Sequence, residues 1–312
     1  MNRRSHEVHP REHTVQTRDG VRLALHEVGG DGPGVLLVHG FAQNRHTFAL
    51  GALPDAFVRC GARVFYGELR GHGRSQRPER PWDLADHLDE DLPALIGAVA
   101  ERTGGPVHLG GHSMGGMLGY ALLTRDVPLA SLVTYCAPAI LGATRTAVRA
   151  AALLAPVAAR GRRVPMHHFL RLVSRPLTKD RAPPGLRGLQ RFTSLVAPSA
   201  GERAALRGAL ASADPESPRV ARQLARMAVR RRPELLGLDL VDCVRQSRLP
   251  VALVVGTHDV FAPPQSVRPL LGPGQAGPRR LVQIPGGSHV DVPLGHHAAR
   301  LAEELWAFVV RA

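Results

Sequence analysis

The stretch LGGHSMGG, Leu109 to Gly116, sets Ser113 in a G-x-S-x-G spacing. A serine hydroxyl attacks an acyl carbon only when a base takes its proton, and the oxyanion that forms needs donors. Val107-His108-Leu109 reads as a short strand before Ser113, and MGGMLGYALL reads as a helix after it. A strand that turns sharply into a helix leaves room for glycines alone at the flanks, here Gly111 and Gly115. That turn lifts the hydroxyl above the sheet edge, at a helix N-terminus that favours negative charge.

Donors are expected from His39-Gly40-Phe41-Ala42, which follows the apolar run GVLLV. Gly40 permits a close backbone turn, and the Phe41 and Met114 amides are the two N–H groups that could bind a tetrahedral oxygen. His39, Gly40, Gly111, His112 and Gly115 are expected to shape the surroundings. The base and its orienting acid are sought at the ends of later strands. Asp259 stands in VVGTHDVFAPP, just past an apolar run at 250–255, and His289 stands in GGSHVDVP, just past 279–284. Both fall on the sheet edge that carries Ser113, where α/β sites are built. Asp239 and Asp242 precede a strand, and Asp291 sits too close after His289 to reach round its ring.

These residues need a scaffold. Residues 14–27 alternate around Asp19-Gly20, a hairpin signal. Apolar runs at 34–38, 62–66, 106–109, 130–136, 250–255 and 279–284 read as strands, and helical patterns cover 83–103, 114–124, 264–271 and 295–310. Their alternation predicts an α/β fold with a doubly wound, mainly parallel sheet. The pattern breaks over 138–238, where Arg-, Ala- and Pro-rich sequence shows helical pieces and no convincing strand. Val220, Leu224 and Met227 recur at helical spacing, with Arg222, Arg226 and Arg230 elsewhere on the turn. The expected organisation is a tail at 1–12, a core at 13–137 and 239–312, and an inserted helical cap at 138–238.

The net charge of +14 resides in that insertion: 139–236 holds 19 Lys+Arg against 5 Asp+Glu, and the remainder holds 21 of each. Lys179 is the single lysine, so the excess is arginine. Without a nucleic-acid motif or interleaved aromatics, the charge reads as solvated helix faces, which argues against nucleic acid and leaves an anionic carrier open as partner. Cys60, Cys136 and Cys243 are far apart in apolar contexts, the pattern of buried free thiols in a reducing compartment. Nothing in the sequence asks for a metal or a cofactor. No apolar run approaches the ~18 residues that cross a bilayer. The opening MNRRSHEVHPREH carries no apolar signal core, so a cytoplasmic location is expected.

Taken together, HGFAQN at 39–44, ELRGHGRS at 68–75, GHSMGG at 111–116, GTHD at 256–259 and GGSH at 286–289 resemble the α/β-hydrolase superfamily. The resemblance implies Ser113 as nucleophile, His289 as base, Asp259 as orienting acid, and Phe41 and Met114 as oxyanion donors. The chain departs from the family where Glu68 replaces the more frequent aspartate of a structural block. A serine at the elbow disfavours the dehalogenase and epoxide-hydrolase branches, which use aspartate there. The implied activity is hydrolysis of carboxylic esters, with a small, largely apolar acyl substrate. Four alternatives share the fold: a thioesterase or acyltransferase fed by an anionic carrier, a C–C hydrolase, a cofactor-free peroxidase-type enzyme, and a non-catalytic receptor. Substrate identity and oligomeric state are not legible at this level.

Overall fold

Strands β3 (Gly34–Val38), β5 (Val107–His112) and β9 (Val251–Gly256) are buried along their whole length. Their continuous apolar character fits a sheet covered on both faces. In the computed structural model, which describes residues 10–141, 213–295 and 297–311, all three are interior strands of an eight-stranded sheet. With β1 (Arg11–Gln16), β2 (Arg22–Gly29), β4 (Arg63–Glu68), β6 (Leu129–Tyr135) and β10 (Arg279–Ile284), the order is β1-β2-β4-β3-β5-β6-β9-β10. Only β1 and β2 run antiparallel to their neighbours. The hairpin expected at 14–27 pairs Val15 with Leu23 across Asp19-Gly20. β1 begins at Arg11, inside the stretch expected to be tail.

Helices cover both faces. Leu92–Thr103 (α2) and Met114–Leu122 (α3) join the cluster containing Leu36, Leu95, Leu109, Leu118 and Leu132. Leu53–Arg59 (α1) and Ala298–Arg311 (α6) close the other face around Phe57, Val64, Val254 and Leu305. The helix expected over 83–103 is not uniform. A π turn, His87–Asp91, interrupts it where His87 Nδ1 meets Asp91 Oδ2 at 2.8 Å, and Asp91 also accepts from the buried Arg70 guanidinium at 2.8 Å. Polar satisfaction inside the core, a tertiary demand, overrides the regular period there.

The described part of the stretch expected to be an insertion contains the basic helix α4 (Pro218–Arg230), with Val220, Ala221 and Met227 buried. It also contains a two-residue ladder, β7 (Glu234–Leu235) against β8 (Leu238–Asp239), where no strand is expected. The turn Leu236-Gly237 places both residues at positive φ, the geometry that allows so short a ribbon. The other helical pieces expected in 138–238 lie outside the described residues. Asp239 caps the next helix, α5 (Leu240–Gln246), through the Val241 and Asp242 amides. All three cysteines are free thiols, but Cys60 is half-buried where burial is expected. Among the described residues no helix is long and apolar enough to cross a membrane.

Candidate active site

Ser113 stands between β5 and α3 with φ 50° and ψ −115°, a conformation that costs a non-glycine residue free energy. The surroundings impose it: Ser113 N donates to Tyr135 O at 2.9 Å, and Ser113 O accepts from Gly116 N and Met117 N at 3.0 Å each. The glycines are required by contact rather than by dihedral freedom. A Cβ on Gly111 would lie 2.6 Å from the Gly115 carbonyl carbon, and one on Gly115 would lie 2.6 Å from His39 O. A Cβ on Gly40 would press on His112 Nδ1 and Ser113 Cβ at 3.0 Å.

His289 links the serine to the acid. Its Nε2 lies 3.1 Å from Ser113 Oγ and its Nδ1 lies 2.9 Å from Asp259 Oδ2. A carboxylate only accepts, so Nδ1 carries the proton and Nε2 keeps the lone pair that faces the hydroxyl. The other oxygen of Asp259 accepts from Phe261 N at 2.8 Å and Ala262 N at 2.9 Å. Burial opposes charge on this carboxyl, yet His289 and the Ala262 amide together hold its pKa below the ordinary value. Phe261 also lies edge-on to the His289 ring, centroids 5.0 Å apart.

The flanking histidines are neutral supports. His112 Nε2 donates to His289 O at 3.0 Å, and burial, with the neighbouring His289, pulls its pKa down to about 3. His39 Nδ1 donates to Gly40 O at 2.8 Å while Nε2 accepts from Leu69 N at 3.1 Å. Burial and the nearby His72 lower its pKa to about 4. Among the described residues, neither Phe41 N nor Met114 N finds an acceptor. Met114 follows Ser113 directly at the start of α3, and Phe41 stands on the loop after β3. Glu68, the departure noted in its block, is fully buried and accepts from His26 at 2.9 Å, Arg74 N at 2.8 Å and Arg45 N at 3.2 Å. Burial opposes its charge, but these donors hold it down at about 2.

Three neighbours are not singled out by sequence reasoning. Cys136 follows β6 at φ 52° with its side chain buried beside Asp259. Cys136, Asp259 and His289 each place a donor atom within 4.8 Å of the others, so they are the described residues that could hold a cation. Burial pushes the Cys136 thiol well up, and a thiol that keeps its proton is a poor ligand. Glu216 and His72 form a buried pair at 3.2 Å against the loop that carries Phe41. His72 stands in the block 68–75 just past β4, but Glu216 lies in no strand-end motif and is 174 residues from its Ala42 partner, so no local pattern announces the contact.

A model of the alpha/beta hydrolase family matches residues 35–304. The chain belongs to that family. Among curated proteins, a probable oxidoreductase, EphD, of Mycobacterium tuberculosis is 38% identical over 104 residues, 32% of this chain and 17% of that one. A fluoroacetate dehalogenase of Burkholderia is 37% identical over 101 residues, 30% of this chain and 31% of that one. The chain therefore spans less than a third of the length of either relative. A thermophilic esterase from Thermogutta terrifontis superposes with a TM-score of 0.65 at 20% identity, covering 96% of this chain and 98% of its own. At that identity the likeness describes the fold. This alpha/beta hydrolase carries the hydrogen-bonded Ser113, His289 and Asp259 at the C-terminal ends of β5, β10 and β9, one edge of the family's sheet.

Proposed function

We propose that this alpha/beta hydrolase cleaves carboxylic esters through an acyl-enzyme on Ser113. The observation that carries this reading is the placement of His289 between Ser113 Oγ and Asp259 Oδ2, at 3.1 and 2.9 Å. His289 Nε2 takes the hydroxyl proton as Oγ attacks the ester carbonyl. Asp259 holds the ring in the Nδ1–H tautomer and stabilises the imidazolium. The carbonyl oxygen, now an anion, is bound by the Phe41 and Met114 amides. His289 returns its proton to the departing alkoxide, which leaves as the alcohol. Water then attacks the acyl-enzyme with His289 again as base, releasing the carboxylic acid and restoring Ser113.

The curated matches include a dehalogenase, but an alkyl-ester intermediate needs a carboxylate nucleophile at the elbow, and the residue there is Ser113. A second reading draws on α4. Arg219, Arg222 and Arg226 line a shallow groove with Asp83 and Gln223, and none of the three makes an ion pair among the described residues. Such a face suits an acyl donor borne by an anionic carrier. The decisive experiment is turnover of a short p-nitrophenyl ester by the protein and by Ser113→Ala. Loss of turnover with an unchanged melting temperature supports the mechanism, and undiminished turnover removes it. Rate loss with added salt for a carrier-borne thioester, but not for the neutral ester, selects the second reading.

A further inference from the structure

The groups assigned to the reaction come from the ends of sheet strands, but one buried carboxylate beside them does not. Glu216 lies two residues before α4, within the stretch expected to be an insertion, and its side chain is fully buried. Glu216 Oε2 accepts from Ala42 N at 3.1 Å, and Oε1 accepts from Ser217 N at 2.8 Å. Two residues earlier, Asp214 N donates to Ala42 O at 3.0 Å. The Asp214 carboxylate accepts from Asn44 Nδ2 at 3.0 Å and from Gly73 N at 2.7 Å. Both peptide groups of Ala42 are thus held by 214–216.

Ala42 needs holding. Its φ is 55°, in the left-handed region that alanine occupies only where its surroundings impose it. The residue before it is Phe41, whose N–H is the proposed oxyanion donor. The peptide on the near side of Phe41 is anchored through Gly40 O, which accepts from His39 Nδ1 at 2.8 Å and from Gln43 N at 3.4 Å. The peptide on the far side is the one Glu216 grips. Pinning both peptide planes leaves the Phe41 N–H a single direction.

The grip is strengthened by charge. His72 Nδ1 lies 3.0 Å from Arg70 O, which can only accept, so that nitrogen carries a proton. His72 Nε2 lies 3.2 Å from Glu216 Oε2, an ion-pair distance short of hydrogen-bond geometry, and the carboxylate favours a proton on that nitrogen. Burial opposes a charged His72, but Glu216 and Asp214 raise its pKa, and His72 in turn keeps Glu216 at about 2 against its own burial. The other groups around His72 are the rings of His39 at 5.0 Å, His87 at 6.2 Å and Trp82 at 6.3 Å. His87 is itself turned to Asp91 through Nδ1.

We propose that Glu216 is a positioning residue for the oxyanion hole: its buried carboxylate, paired with His72, clamps the left-handed Ala42 and so aims the Phe41 N–H at the reacting carbonyl oxygen. This assignment rests on the serine-hydrolase reading above. It gives a residue of the expected insertion a part in aligning the oxyanion hole.

The test measures kcat and KM for a p-nitrophenyl ester, and Ki for an aryl boronic acid, in the 312-residue chain, Glu216→Ala and Glu216→Gln. Each value is divided by the fraction of Ser113 that a fluorophosphonate labels at completion, which counts intact sites. The boronate forms a tetrahedral adduct whose oxygen occupies the hole, so its affinity reports donor alignment directly. Glu216→Ala is expected to lower kcat per labelled site by roughly 10- to 100-fold, short of the ~10²–10³-fold seen when a donor is removed outright. KM is expected to stay within about twofold, and boronate Ki to rise in step with the loss of kcat. Glu216→Gln, which can accept from the Ala42 or the Ser217 amide but not from both on separate oxygens, is expected to fall between, and it serves where the alanine variant does not fold. Unchanged kcat and Ki per labelled site, with only the labelled fraction reduced, would show a purely structural carboxylate and overturn the assignment. A wild-type protein that neither labels at Ser113 nor turns over an ester removes the underlying reading and this one with it. Labelled, active wild type with unaltered variants removes this one alone.

Discussion

His112 Nε2 donates to the backbone carbonyl of His289 at 3.0 Å, and the two rings lie 4.9 Å apart. The residue before the proposed nucleophile thereby holds the main chain of the proposed base, across 177 positions of sequence. Replacing His112 with Phe keeps a ring against Phe48 but leaves the His289 carbonyl without its donor. We expect a stability loss of about 1–3 kcal/mol, the cost of an unsatisfied buried acceptor. We also expect a roughly tenfold lower kcat as the base loses its mooring, at nearly constant KM. Urea unfolding and ester kinetics read the two effects separately.

Asp259→Asn tests the tautomer. The Phe261 and Ala262 amides both donate to Asp259 Oδ1, so an asparagine would set its oxygen there and turn its NH2 toward His289. Nδ1 would then accept, and Nε2 would carry the proton and lose its capacity as base. A fall in kcat of roughly 10³- to 10⁴-fold is expected, with little change in melting temperature. A variant that retains most of its activity would show that another group orients His289.

Acid should weaken the fold in two ranges. His39 and His112 have folded pKa values of about 4 and about 3, below the ordinary histidine value of 6.5, because burial disfavours their charge. The unfolded chain therefore binds more protons as pH falls from 6.5 toward those values, and stability declines across that range. Glu68 and Glu216 are depressed to about 2 from 4.5, so their contribution is present above 4.5 and is lost between 4.5 and 2. Urea midpoints should hold down to about pH 6.5 and then drop toward pH 3, partly offset by His72, whose raised pKa adds stability as it gains its proton. In Glu68→Gln the loss below pH 4.5 should shrink.

Gly115→Ala probes the elbow. The new Cβ would meet main-chain atoms, His39 O at 2.6 Å and Val38 O at 2.8 Å, which cannot swing aside as a side chain would. Overpacking of this kind typically costs about 1–3 kcal/mol, and here it also displaces the loop that carries Phe41. Both melting temperature and fluorophosphonate labelling rate should fall. A variant as stable and reactive as wild type would mean that β3 and α3 are not locked at this contact.

The periodicities of the chain are enough to place the parallel strands, because a strand buried on both faces must be apolar throughout, as Gly34–Val38 and Val251–Gly256 are. Sequence also places Ser113, Asp259 and His289 at one sheet edge, since each stands just past a strand and parallel strands share their C-terminal ends. Two features escaped it for a common reason. The π turn at His87–Asp91 exists to meet Arg70, and Glu216 exists to meet Ala42 and His72. A buried charge is tolerable only beside its partner, and the partner's distance along the chain carries no local signal. Strand ends and elbow glycines are written in residue type and spacing. The clamp on Ala42, the bond of His112 to the His289 carbonyl and the thiol of Cys136 beside Asp259 were decided only when the tertiary fold brought remote segments into contact, where desolvation makes each unpaired polar group costly.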